Sequence, residues 1–283
     1  MKRYLITFLL LFFVMSVGFS EANLFSLIDL NDFINIEKLE SFSDSYFFQD
    51  FEKNSKKSIC KVCVKIQRPD KKESHICYYN SKGLLEKEES RVYEDYDYVY
   101  KYDENDRLLS CGNFTFKYLD DFQRERYCRG VLQYKEIVDF QKEKIIITVI
   151  SYSKRDADNA IIESGKRVYE YNFENGYLDN ICCTSFNIKG IEKKKKNYLF
   201  LTYENEKIKI SKEYYGEELR CEQSFEYKDN KLIKRTVTYP TDSVANYTAE
   251  YSDFDRYGNF QNYVQKSTSG IIKVSFFRIM DYK

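Results

Sequence analysis

Tryptophan is absent from this 283-residue chain, histidine occurs once, proline twice, and 45 basic residues balance 45 acidic ones. Each shortage excludes something. With His75 as the single histidine, any Ser-His-Asp or Cys-His mechanism must pass through that residue. Proline removes a ladder donor, so a chain this poor in it permits long uninterrupted sheets. Balanced charge argues against a protein that grips phosphate backbones, and nucleic acid is not an expected partner. No Gly-rich phosphate-cradling loop appears, and no cofactor is implied.

What is abundant is tyrosine and phenylalanine, 27 and 22 of them. Aromatic residues favour strands, and the chain reads as all-β. Its start differs. Lys2 and Arg3 precede an apolar run from Tyr4 to Val17, followed by Gly18-Phe19-Ser20, which is the layout of a secretory signal. Cleavage before Glu21 uses the small residues Gly18 and Ser20; cleavage before Asn23 uses Ser20 and Ala22. An uncleaved segment is the alternative, and only through it is a membrane contact expected, although the run is short for a span of about 20 residues. The expected location is outside the cytoplasm: periplasmic, cell-surface or secreted. Between residues 21 and 57, Leu27, Leu30 and Ile34 fall at helical spacing, as do Phe47 and Phe51, predicting one or two short helices. Three segments result: a signal peptide over 1–20, a short helical segment over 21–57, and a β-repeat domain over 58–283.

The stretch Tyr96 to Leu109 sets the pattern for that domain. Tyr96, Tyr98, Tyr100 and Tyr102 alternate, so their rings share one face of a strand while Asp97, Val99, Lys101 and Asp103 share the other. The charged set belongs in water, which makes the tyrosine face the covered one. A turn follows at Asp103-Glu104-Asn105-Asp106, then Leu108 as an apolar return. The same order recurs after Tyr79, Tyr171, Tyr203, Tyr227 and Phe254. Intervals between these aromatics are 23, 69, 32, 24 and 27 residues, and since 69 is three times 23, two worn copies are expected, at Tyr118 and Phe140. Two strands with their turns fill about 24 residues.

Tyr100-Lys101-Tyr102-Asp103-Glu104-Asn105-Asp106-Arg107-Leu108 resembles the YD repeat of Rhs and teneurin-type proteins, Tyr-x-Tyr-Asp-x-x-Gly-Arg-Leu. Asp106 stands in the glycine position, where Asp tolerates left-handed backbone angles; Gly83, Gly176 and Gly258 hold that place in other copies. The resemblance implies antiparallel β-hairpin repeats. For a chain of this length they are expected to form a curved or solenoid-like sheet, and the toxin-enclosing shell of the large family members is not carried over.

Eight cysteines in an exported chain read first as disulfides. Pro69-Asp70 marks a turn that returns Cys77 near Cys63, making Cys63–Cys77 the expected cross-hairpin pair; free buried thiols are the alternative. Cys60, Cys63, His75 and Cys77 also form a possible zinc set. No catalytic residue is assigned. Lys193 to Lys196 form the one basic run, either a solvated turn or a contact for anionic lipid or polysaccharide. The tyrosine stripe is core if buried and a stacking surface for sugars or a partner chain if exposed. The reading that fits is an exported, non-enzymatic binding or structural module of a bacterial envelope, with carbohydrate or an envelope protein as partner. A secreted glycan hydrolase using paired carboxylates is the competing reading.

Overall fold

The computed structural model describes residues 59–283 apart from 71, 92–94, 156–159, 175–176, 193–195 and 206, with the backbone alone at 90, 91, 95 and 96. The signal segment and the helices expected over 21–57 lie outside the described residues. The regular structure that is described is strand: β1 (Ile59–Gln67), β2 (Lys72–Tyr79), β3 (Leu85–Arg91), β4 (Asp95–Tyr102), β5 (Leu108–Cys111), β6 (Phe114–Tyr118), β7 (Gln123–Cys128), β8 (Val131–Gln141) and β9 (Lys144–Lys154). The second half continues with β10 (Ile161–Glu174), β11 (Tyr177–Asn187), β12 (Asn197–Glu204), β13 (Lys207–Tyr215), β14 (Glu218–Lys228), β15 (Lys231–Thr238), β16 (Tyr247–Phe254), β17 (Phe260–Ser267) and β18 (Ile272–Tyr282).

Each strand pairs antiparallel with the next. The last strand then pairs with the first, Val62 opposite Met280, Val64 opposite Arg278 and Ile66 opposite Phe276. The all-β antiparallel expectation holds, but the sheet is not an open curve or solenoid. It closes into an 18-stranded up-and-down barrel. Sheet twist and curl bring the end strands together, and closure removes both unpaired edges.

In an up-and-down ring, alternate connections lie at opposite rims. The aromatic-turn-apolar unit spans two strands, so every turn belonging to the repeat falls at one rim. That includes the connections after Tyr118 and Phe140, where the two worn copies were expected. Five turns share one construction: Asn80, Asp103, Asn187, Asp255 and Ser267 each accept a side-chain hydrogen bond from the amide four residues on. In each, the fourth residue is left-handed: Gly83, Asp106, Gly190, Gly258 and Gly270, with φ between 63 and 91°. Asp106, at φ 63°, takes the glycine position, as its sequence context implied.

Alternation decides the two faces of the wall. In β1, Val62, Val64 and Ile66 are buried while Lys65 and Gln67 are exposed. Two separate cores form inside the ring. One joins β1, β2 and β16–β18 around Val62, Val64, Tyr251, Tyr263 and Phe276. The other, across the ring, joins β8–β12 around Val138, Ile147, Tyr169, Ile181 and Leu199. The outer wall carries cross-strand ion pairs beside exposed apolar side chains, among them Val99, Phe200, Phe277 and Ile279. Lys117 faces Glu125, Lys212 faces Glu222 and Lys234 faces Glu226 as direct cross-strand partners, with N–O separations of 3.9, 3.2 and 2.8 Å. Lysines at the bilayer midplane cost about 2–4 kcal/mol each on a lipid-facing strand, so the strands that carry these pairs favour water. Among the described residues no helix is long and apolar enough to cross a membrane.

Candidate functional site

Eighteen strands about 4.8 Å apart give a perimeter of roughly 85 Å, and rings of this size are too wide for their own side chains to fill. Between the cores the inner residues are accordingly half-buried. Tyr98, Tyr100 and Tyr102 face inward, with Asp97, Val99 and Lys101 exposed on the outside. The predicted orientation of the stripe is therefore observed, but as a partly accessible lining and not as closed core. The side chain of Tyr96 lies outside the described residues.

Neighbouring strands extend this lining in register. Phe116 of β6 faces Arg126 of β7, which faces Tyr134 of β8. The Arg126 guanidinium sits 4.2 Å from the Tyr134 ring centre and 5.6 Å from that of Phe114. One step along, Arg124 stacks over Phe116 at 4.8 Å and pairs with Glu136 at 2.5 Å, both side chains essentially without exposure. Aromatic faces and arginine forks thus alternate on the wall, a chemistry suited to planar or ring-shaped polar ligands.

A second polar group lies on β2–β4. His75 is buried, its Nε2 3.0 Å from Glu88 Oε1, and the Tyr100 hydroxyl donates to Glu88 Oε2 at 2.6 Å. Cys77 is on the same face as His75 and is also buried. Burial first, and then the Glu88 charge, push the Cys77 thiol and the Tyr100 hydroxyl well above their ordinary pKa values. That is the reverse of nucleophile activation, which needs a depressed pKa. Glu73, likewise buried, holds Arg68 at 3.1 Å.

The expected Cys63–Cys77 disulfide is overturned by register. Val62 faces Cys77, and Cys63 faces Ile76, so the two thiols occupy opposite faces of the wall. A one-residue offset is enough to reverse a side chain, and a bridge needs the Cβ vectors to converge. No disulfide joins any of the eight cysteines among the described residues. The zinc set fails for the same reason: Cys63 points outward, His75 and Cys77 inward, and Cys60 Sγ donates to the Asp281 carbonyl at 3.3 Å. No group of three or more metal-ligating side chains occurs among the described residues. Of the basic run, Lys193–Lys195 lie outside the described residues, and Lys196 pairs with Glu192 at 3.2 Å.

Sequence reasoning found the tyrosine lining and missed its charges. Glu88, Arg124, Arg126 and Glu136 were assigned to no site because a charged residue on a strand reads as solvent-facing. The available signal was periodic: once Tyr98 is known to face inward, register carries the assignment to Glu88.

No family model and no curated protein matches the chain. Among solved structures, a porin-like protein from Bacteroides vulgatus is similar with a TM-score of 0.32 and 8% identity, over 80% of this chain and 98% of that one. A likeness at that score carries no argument about architecture, compartment or activity. The barrel rests on this chain's own strand pairings.

Proposed function

We propose that this protein is an exported, non-enzymatic β-barrel of a bacterial cell envelope, built from diverged YD-type hairpin repeats, that binds carbohydrate against the inner wall of its ring. The observation that carries the reading is the accessible lining on β4–β8, where half-buried Tyr98, Tyr100, Phe116 and Tyr134 alternate with Arg126. Sugar rings stack on such faces through their C–H bonds and hydrogen-bond at their edges to guanidinium and carboxylate groups. Against the competing hydrolase reading stand three inner-wall carboxylates that are already engaged. Glu73 is engaged by Arg68, Glu88 by His75 and Tyr100, and Glu136 by Arg124, and a glycosidase needs two carboxylates flanking one bond.

The test is a glycan and envelope-polymer array probed with the mature chain, followed by Tyr134→Ala. Retention of a glycan that weakens at least tenfold in the variant supports the reading. Retention unaffected by Tyr134→Ala places the ligand elsewhere, and capture of an envelope protein alone makes the ring a protein-binding module instead.

A further inference from the structure

The rim opposite the repeat turns has a composition of its own. Five large apolar side chains there, Val244, Ile271, Ile191, Ile188 and Ile272, are 52 to 82% exposed, more than any others among the described residues. Four of them stand on three loops, those joining β11 to β12, β15 to β16 and β17 to β18, and Ile272 is the first residue of β18. Lys273 ties two of these loops together, its Nζ donating to the Val244 carbonyl at 3.1 Å. The repeat-turn rim differs: Leu119, Phe122, Phe140 and Tyr177 are 38 to 49% exposed, and Phe122 packs on Phe140 with ring centres 6.3 Å apart.

Basic charge accompanies these aliphatics. The loop joining β11 to β12 carries Lys189, and Lys273 follows Ile272 at the start of β18. The acidic residues of these loops are occupied: Glu192 by Lys196, and Asp242 by accepting hydrogen bonds from the Val244 and Ala245 amides.

We infer that this rim docks on the surface of an anionic phospholipid membrane, with Ile188, Ile191, Val244, Ile271 and Ile272 reaching into the headgroup and upper acyl region and Lys189 and Lys273 resting on lipid phosphates. The arrangement selects lipid over a protein partner. A protein ligand needs one continuous complementary surface, whereas a membrane accepts isolated side chains on separate loops if they share one rim. Lysines beside them match an anionic leaflet. The contact is peripheral, because the lysine-bearing strands of the outer wall favour water, and it differs from the expectation that only an uncleaved signal segment would touch a membrane. It rests on the proposed export but not on any ligand inside the ring.

The absence of tryptophan supplies a clean probe. Val244→Trp and Ile188→Trp, on separate loops, and Leu119→Trp, on the other rim, each introduce one reporter into the mature chain. With vesicles of phosphatidylglycerol and phosphatidylethanolamine, the first two emissions shift to the blue and are quenched by brominated acyl chains, while Leu119→Trp stays unchanged. The triple variant Val244→Ser, Ile271→Ser, Ile272→Ser loses roughly tenfold or more of its vesicle-bound fraction, as expected for three aliphatic groups withdrawn from lipid. Unchanged spectra at both Val244→Trp and Ile188→Trp overturn the inference, as does an equal shift at Leu119→Trp. A blue shift without vesicles also overturns it, by identifying a second copy of the chain as the occupant. Failure of the glycan array leaves all these readouts intact.

Discussion

Arg124 and Glu136 occupy one register position on the inner wall and neither reaches solvent. Removing one partner leaves the other charge buried. Arg124→Met should therefore destabilise the barrel by about 3–5 kcal/mol, and adding Glu136→Leu should restore much of the loss, because an apolar pair of similar size replaces a buried ion pair at little net cost. Urea denaturation of the two single variants and the double variant measures this; equal losses in single and double variants would contradict it. Asp103 and Asp255 make a pH prediction. Burial disfavours their charge, but hydrogen bonds outweigh it, at Asp103 from Arg107 and the Asn105 amide and at Asp255 from the Tyr282 hydroxyl, the Asn259 amide and the Tyr257 amide, and hold both carboxyls below the ordinary carboxylate value. A depressed folded pKa means that the stabilisation is complete above the unfolded value, near pH 4, and is lost as pH falls through the folded one. Thermal melts should decline below about pH 4, and Asp103→Asn should flatten that decline. What was legible at this scale was the identity of the turn residues, since Asp103 and Asp106 have local roles. The pairing of Arg124 with Glu136 was not, because twelve residues and a whole hairpin separate them.

Successive hairpin units are joined by a repeated contact. Tyr102 donates to the Leu85 carbonyl at 2.8 Å, Tyr118 to the Leu108 carbonyl at 3.1 Å and Tyr203 to the Leu178 carbonyl at 2.9 Å. In each case the tyrosine before one repeat turn reaches the apolar residue that follows the previous one. Basic residues after a turn add to this by lying over the next unit's ring: Arg107 over Tyr118 at 4.7 Å, Lys207 over Tyr227 at 4.7 Å and Lys231 over Phe254 at 5.0 Å. These contacts give a physical reason for tyrosine, and not only an aromatic, before the turn. Tyr102→Phe, Tyr118→Phe and Tyr203→Phe should each cost about 1 kcal/mol, the net worth of one hydrogen bond, with near-additive losses because the sites are separate. Denaturant midpoints check this; no change in any of the three would remove the hydroxyl from the account. The repeat itself was legible because turn chemistry is local and recurs, and its two-strand period correctly placed the hairpins, including the worn copies at Tyr118 and Phe140. The cysteine pairing was misjudged because a turn around Pro69-Asp70 limits where Cys77 returns without setting the one-residue register that turns it inward.

For the whole molecule the decisive contact is also the least local. Val62 and Met280 lie 218 residues apart, and no motif in either strand marks the other as its partner. An open curved sheet and a closed ring therefore look alike in sequence, since both are series of hairpins. Closure determines the rest: it turns the tyrosine face into an interior, leaves the opposite face of each strand outside, and separates the repeat-turn rim from the loop rim. Residue-resolved hydrogen exchange on β1 and β18 tests it directly. In a closed barrel every amide from Val62 to Ile66 and from Ser275 to Phe277 has a paired strand on both sides, so all should be protected to the level of strands β9 and β10. An open sheet would leave both strands as edges, and every second amide in them would exchange at nearly the rate of an unstructured chain.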